Sequence, residues 1–216
     1  HEVYEGEPAA VGDRALQHAV RSFGIRREDF LSVLSGVERD LTTGRYETFG
    51  QLRAYCFDVA SSVGLLCLPI FGRDDAPARD RAIDLGLGMQ LVNVLRDVRE
   101  DALRDRVYLP QEDLRRFGVE PGELGRGVPN TALDSLVRFE AERARTLLRS
   151  GRELLPLLEG RNRFCPAALV GIYGDLLEKI ERAGGEVVQR RVSLTGRRKA
   201  WLALRAAASR WDVMHR

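Results

Sequence analysis

Apolar residues recur along almost the whole chain at three- and four-residue spacing, and no run alternates apolar with polar side chains over the length of a strand. This periodicity predicts helices over residues 12–23, 27–41, 48–68, 77–103, 111–116, 130–158, 166–183 and 197–210, with Asn130 or Thr131 capping the long sixth one. The Gly- and Pro-rich stretch 118–129 reads as the one long loop. Nothing repeats at a fixed period and no low-complexity tract interrupts the pattern. The chain is therefore expected to be all-α, a single helical domain over residues 1–216.

One segment breaks the ordinary partition of a surface helix. At about 100° per residue, Gln90, Asn93, Asp97 and Asp101 share roughly a quarter-turn of arc. Ile83, Leu87, Leu91, Val94 and Val98 fill the arc beside it, so the wettest stripe borders the greasiest one. Two carboxylates four apart on a helix repel by a few tenths of a kcal/mol, and a hard divalent cation between them reverses the sign. The oxygen-rich set suits Mg²⁺, which keeps several waters and favours phosphate oxygens, so the natural ligand of such a site is a phosphorylated molecule. Gly86 and Gly88 each cost about 1 kcal/mol relative to alanine in a helix, which leaves room for a neighbouring helix or a long substrate. The competing reading is a solvated acidic face balanced by Arg96, Arg99 and Arg104.

Composition narrows the class. The 216 residues suffice for a sizeable core, and 44% hydrophobic with 31% charged residues is ordinary for a globular protein. A formal net charge of +2 gives no overall field for nucleic acid. Cys56, Cys67 and Cys165 show no paired spacing, which argues for reduced thiols in a cytoplasmic setting and against zinc. The longest apolar run, 63–71, is interrupted by Pro69 and falls short of a bilayer span.

Other segments carry weaker signals. Phe30 to Leu41 has apolar residues at helical spacing beside Glu38 and Asp40 and receives no chemistry. Tyr55, Val59, Ser62 and Val63 form a stripe flanked by the small residues Ala60, Ser61 and Gly64, the pattern of close helix packing. Tyr173 sits among Leu169, Ile172, Leu176, Leu177 and Ile180, where a tyrosine is usually a satisfied core residue. Glu140, Glu142, Arg143 and Arg145 read as a solvated, ion-paired face. The tail 189–201 concentrates Arg190, Arg191, Arg197, Arg198 and Lys199 with Trp201. That patch fits a solvated helix start, nucleic acid or an anionic membrane surface.

The run from Gly86 to Val119, with Gln90, Asn93, Asp97 and Asp101 on one helix followed by an Arg-rich turn and Tyr108-Leu109-Pro110, resembles the second aspartate-rich region of the squalene and phytoene synthase family. The Gly36-x-x-x-Asp40-Leu41 segment, the Tyr55-Cys56 helix and the Arg191-Val192-x-Leu194 tail extend the likeness over most of the chain. It implies an isoprenoid-synthase-type helical bundle with a central cavity. It also implies a Mg²⁺-dependent prenyltransferase that joins two farnesyl or geranylgeranyl diphosphates head to head, giving presqualene diphosphate, squalene or phytoene for carotenoid or hopanoid synthesis. By the same resemblance Asp97, Asp101 and Asn93 hold the metal, and Asp97, Asp101 and Tyr173 are catalytic. Gln90, Asn93, Arg191 and Lys199 bind the diphosphate, while Tyr55, Val59 and Val63 line the tunnel for the prenyl tails.

The family's first aspartate-rich motif has no counterpart before Arg14, where Glu2, Glu5, Glu7 and Asp13 lack its spacing. The chain is accordingly expected to be an N-terminally truncated part of a longer enzyme, weak by itself in binding metal and diphosphate. A non-catalytic helical partner subunit or inactive fragment that keeps the fold is the rival reading. Among partners, the sequence suggests a prenyl diphosphate and no nucleic acid, leaves peripheral membrane contact open, and fixes neither the oligomeric state nor the prenyl chain length.

Overall fold

The computed structural model describes residues 2–208. Its helices are α1 (Glu2–Glu5), α2 (Val11–Phe23), α3 (Arg27–Thr42), α4 (Phe49–Cys56), α5 (Ser62–Cys67), α6 (Ala76–Ala102), α7 (Gln111–Phe117), α8 (Pro121–Arg126), α9 (Thr131–Arg152), α10 (Phe164–Ala183) and α11 (Gly196–Ala208). The only β pairing among the described residues is an isolated bridge between Arg45 and Val107. The all-α expectation holds.

Three boundaries differ from the periodicity. The segment 48–68 is helical throughout, yet Phe57–Ser61 between α4 and α5 winds as a π-helix. The stretch 118–129 contains α8, started by a reciprocal Glu120–Glu123 capping box with Pro121 in the first turn, a signal hidden by the surrounding glycines. Residues 153–158 leave the α-helix for a short 3₁₀ turn around Pro156, which cannot donate to a continuing helix. The expected end of the last helix at Arg210 lies outside the described residues.

Local chemistry sets the remaining starts. Asp75 accepts from the Ala78 amide at 3.0 Å to cap α6, with Pro77 in its first turn, and Asn130 accepts from the Leu133 amide at 2.8 Å to cap α9. Thr48 caps α4 through the Gln51 amide.

α6 is the axis of the bundle, with Leu85, Leu87, Leu91, Val92, Val94, Leu95 and Val98 all buried. Two of its glycines set how close the neighbours come. A Cβ at Gly86 would lie 2.5 Å from the Ser61 Cα, and one at Gly88 would lie 2.9 Å from the Leu148 backbone nitrogen. On the other side a Cβ at Gly151 would meet the Leu85 Cα at 2.5 Å. The pairs 88 with 148 and 85 with 151 run in opposite senses, so α6 and α9 are antiparallel. The room that both α6 glycines create is taken by helices. Arg79 in the first turns of α6 ties down α3 through a two-pronged bond to the buried Asp29 at 2.7 and 3.1 Å.

α9 corrects one expectation. Glu140 is only 1% exposed and Asp113 of α7 only 3%, so Glu140 and Arg143 turn inward, while Glu142 stays exposed and pairs with Arg149 as a solvated face would. Arg143 donates to both carboxylates and lies 4.3 Å from the Phe49 and Phe139 ring centres. The Glu-to-Arg spacing of three that suits a surface pair equally suits an inward pair, once α7 brings an acid over it. The three cysteines remain free thiols, and no described helix is long and apolar enough to cross a membrane.

Candidate functional site

The polar edge of α6 survives in three dimensions. The Asn93 amide nitrogen donates to Gln90 Oε1 at 3.1 Å, while Asn93 Oδ1 is buried without a partner among the described residues. Asp97 lies one turn on. It accepts from Arg96 Nε at 2.9 Å and from Arg191 Nε at 2.6 Å. Burial alone would raise the Asp97 pKa, but the Arg96 and Arg191 guanidiniums outweigh it and hold the carboxyl below its ordinary value. Asp101 has no such partner. Burial first, and then the Asp97 charge, push it up to about 6, against the opposing pull of Arg104 and Arg106. One helix edge thus carries an ionised carboxylate, a second poised near neutrality and an amide oxygen with unused acceptor capacity.

Arg191 reaches Asp97 from the segment between α10 and α11, and its Nε is also 3.6 Å from Glu100. The structure therefore joins residues 94 positions apart that the sequence pairs only by resemblance. Around Arg191 a cleft of about 530 Å³ is lined by Lys179, Arg182, Arg190 and Ser193, a basic wall beside the acidic edge. Tyr173 of α10 is half-buried against the core, in the neighbourhood of the Arg96 guanidinium. Lys199 is exposed on α11 and is not among the cations that lower Asp97.

The limb from α4 to α5 packs on the same edge of α6, since Gly86, whose Cβ position abuts Ser61, falls at the helical angle of Asp97. Ser61 fixes the contact by donating to the Ile83 carbonyl at 2.8 Å. The π-helical turn that delivers Ser61 re-aims the residues on either side of it. Val59 packs between the core and Gly36, where a Cβ would lie 2.7 Å from Val59 Cγ1. Val63 is 44% exposed, one turn further along the limb. Asp58, which has no role by periodicity, pairs with Arg39 at 3.0 Å and locks α3 to the π turn.

Tyr55 is buried and belongs to a cluster absent from the sequence reading. Its ring lies 5.2 Å from Tyr46 and 5.3 Å from Tyr108. Asp40 accepts from the Tyr55 hydroxyl at 2.8 Å and from the Tyr108 hydroxyl at 3.2 Å. Burial, followed by the Asp40 bond, raises the Tyr55 pKa far above the ordinary phenol value, so this hydroxyl is a proton holder. Tyr108 comes from the segment after α6, where the chain turns through Asp105 in the left-handed region at φ 58°. The Val107 amide then donates to the Gly44 carbonyl at 2.7 Å, and Arg106 donates to the Asp40 carbonyl at 3.0 Å. Arg106 thus fastens α3 to this turn, while Asp101 and Tyr108 line one small internal void with Val94, Val98, Val107, Leu109 and Leu124. Asp40 and Tyr108 are the residues that sequence reasoning left without a role, and Arg106, which it reads as a diphosphate or surface cation, instead bonds α3. Their one early signal is the acid and tyrosine content of the Gly36–Leu41 and Tyr108–Pro110 segments.

An all-α bundle that carries an acidic helix edge facing a basic cleft, with a buried tyrosine cluster behind it, defines a protein of the isoprenoid-synthase fold. It superposes on a dehydrosqualene synthase crystallised in complex with ligand, with a TM-score of 0.87, 31% identity, and coverage of 96% of this chain and 74% of that one. A squalene synthase from Alicyclobacillus acidocaldarius gives a TM-score of 0.81 at 27% identity over 85% of this chain and 70% of that one. The squalene/phytoene synthase family model matches residues 2–198, and the chain belongs to that family. A phytoene synthase of Mycobacterium tuberculosis is 38% identical over 200 residues, 90% of this chain and 66% of that protein. A 15-cis-phytoene synthase of Synechocystis sp. is 33% identical over 218 residues, 93% of this chain and 65% of that protein. The chain thus spans 66% and 65% of these two relatives.

Proposed function

We infer that the protein carrying this chain is a Mg²⁺-dependent prenyltransferase that condenses two prenyl diphosphates, farnesyl or geranylgeranyl, head to head to presqualene diphosphate, squalene or phytoene. The observation that carries the reading is the α6 edge, where Asn93 Oδ1, Asp97 and Asp101 present hard oxygen donors and Arg191 supplies a cation at the same point. Relatives named for phytoene, squalene and dehydrosqualene synthesis support it.

The donor set fits magnesium, since all its atoms are oxygens and Asn93 Oδ1 has no protein partner to give up. No group of three or more His, Cys, Asp or Glu side chains is gathered for a metal among the described residues, so Asp97, Asp101 and Asn93 would hold the ion together with water and diphosphate oxygens. Bound Mg²⁺ would neutralise the departing diphosphate. Arg191, with Lys199 on the following helix, would bind the same anion, and Gln90 would orient Asn93. Tyr173 and Tyr55 would border the reacting carbons, and the apolar limb with Val59 and Val63 would keep water from a carbocation. The leaving pyrophosphate itself serves as the proton acceptor.

Extraction of the hydrocarbon products made by the full protein from labelled prenyl diphosphates tests the reading. Product should vanish in Asp97→Asn while thermal unfolding stays unchanged. Undiminished turnover in that variant refutes it.

A further inference from the structure

Among the described residues, α11 leaves a particular face uncovered. α11 packs through Leu202 and Ala206, four apart and both buried, with Leu202 Cδ2 only 3.4 Å from where a Cβ on Gly171 of α10 would sit. At 100° per residue the opposite arc holds Ala200, Trp201, Leu204 and Ala208, with Arg197 at its first turn. Trp201 is 46% exposed and Leu204 69%. Gly196–Ala208 carries Arg197, Arg198, Lys199 and Arg205 and no acidic residue. The Arg198 and Arg205 guanidiniums lie 4.5 and 5.4 Å from the Trp201 ring centre, so cations flank the apolar strip along one side. Arg198 is shared with Asp175, whereas Arg197 and Arg205 have no acid at ion-pair distance among the described residues.

A short helix whose outward face is Trp and Leu, edged by arginines, has the build of a helix that lies in a membrane interface. We propose that α11 docks the protein on an anionic lipid surface, with Trp201 and Leu204 entering the headgroup boundary and Arg197 and Arg205 meeting the lipid charges. The two halves of the pattern require this partner jointly. Nucleic acid satisfies the arginines but leaves Leu204 in water, and an apolar protein groove satisfies Leu204 but not unpaired arginines. The docking does not depend on the reaction proposed above. It would place the basic cleft at Arg190 and Arg191 close to a membrane, where an amphiphilic diphosphate partitions.

Co-sedimentation of the full protein with vesicles, without substrate, tests it. Phosphatidylcholine vesicles containing about one-third phosphatidylglycerol should carry the protein down at low salt, with binding falling steeply as salt rises. Pure phosphatidylcholine should carry down much less. Trp201→Ala with Leu204→Ala should weaken binding about tenfold or more. Arg197→Gln with Arg205→Gln should weaken it about thirtyfold, roughly fivefold per charge. Circular dichroism and thermal unfolding of both pairs should match the parent. In the 216-residue chain carrying Trp211→Phe, where Trp201 is the remaining indole, its emission should shift to the blue on anionic vesicles. Unchanged binding by either pair, or an unshifted emission, overturns the proposal. So does binding to duplex DNA that the arginine pair loses and the Trp201/Leu204 pair retains.

Discussion

Two of the carboxylate pairs with arginine partners in this bundle have opposite characters. Asp113 and Glu140 meet over Arg143 between α7 and α9, with both acids buried and Arg143 stacked against Phe49 and Phe139. Burial, outweighing the opposing pull of Arg143, pushes Glu140 up to about 8, and its Oε2 has no hydrogen-bond partner among the described residues. Asp97 and Asp101 lie along one helix edge. Arg191, the cation that reaches Asp97 from outside α6, is half exposed and arrives on a segment outside any helix, while Asp101 has no arginine partner among the described residues. The same residue types therefore stabilise the fold in one place and, on the proposed reading, present ligand donors in the other. The difference lies in whether the acids are enclosed, as Asp113 and Glu140 are, or stand beside an open cleft.

Removing Arg143 gives the largest expected effect. Arg143→Ala leaves two buried acids without their cation and should cost about 3–5 kcal/mol in denaturant unfolding. Asp97→Asn should do the reverse, lowering product formation by about 10²-fold or more with no loss of stability. If both variants affect stability alone, the distinction between the pairs collapses. Gly86→Ala probes the packing that holds the limb against the open edge. Its Cβ would strike the Ser61 backbone, so it should cost about 1–3 kcal/mol even though alanine is the better helix former. The smallest effect concerns pH. Between the ordinary glutamate value of 4.5 and about 8, the folded state binds more protons at Glu140 than the unfolded chain does, so this group makes stability fall as pH rises through that window. Glu140→Gln should remove that fall, and the gap in unfolding temperature between variant and parent should widen steadily toward pH 8. Parallel curves for parent and variant would place the proton elsewhere.

The sequence reveals much of this and misses a definable remainder. Helix positions follow from periodicity because most helices bury one face. The edge of Gln90, Asn93, Asp97 and Asp101 is legible because it lies within one helix, where angle follows directly from number. Asp40 with Tyr55 and Tyr108 is not legible, because the bonds join residues 15 and 68 positions apart, a relation that no local pattern encodes. Glu140 illustrates the opposite error. Its spacing to Arg143 is that of a surface pair, and only the packing of α7 turns it inward. The glycines of α6 announce a close approach without saying to what, and the structure supplies Ser61 and Leu148.

The central claim is that the open pair is a metal and diphosphate site, and titration calorimetry of the full protein with inorganic pyrophosphate in the presence and absence of Mg²⁺ tests it most directly. Binding is expected when both are supplied, with affinity rising as pH climbs through about 6 and Asp101 loses its proton, and it should be abolished in Asp97→Asn. Binding that ignores magnesium, or survives unchanged in that variant, contradicts the account.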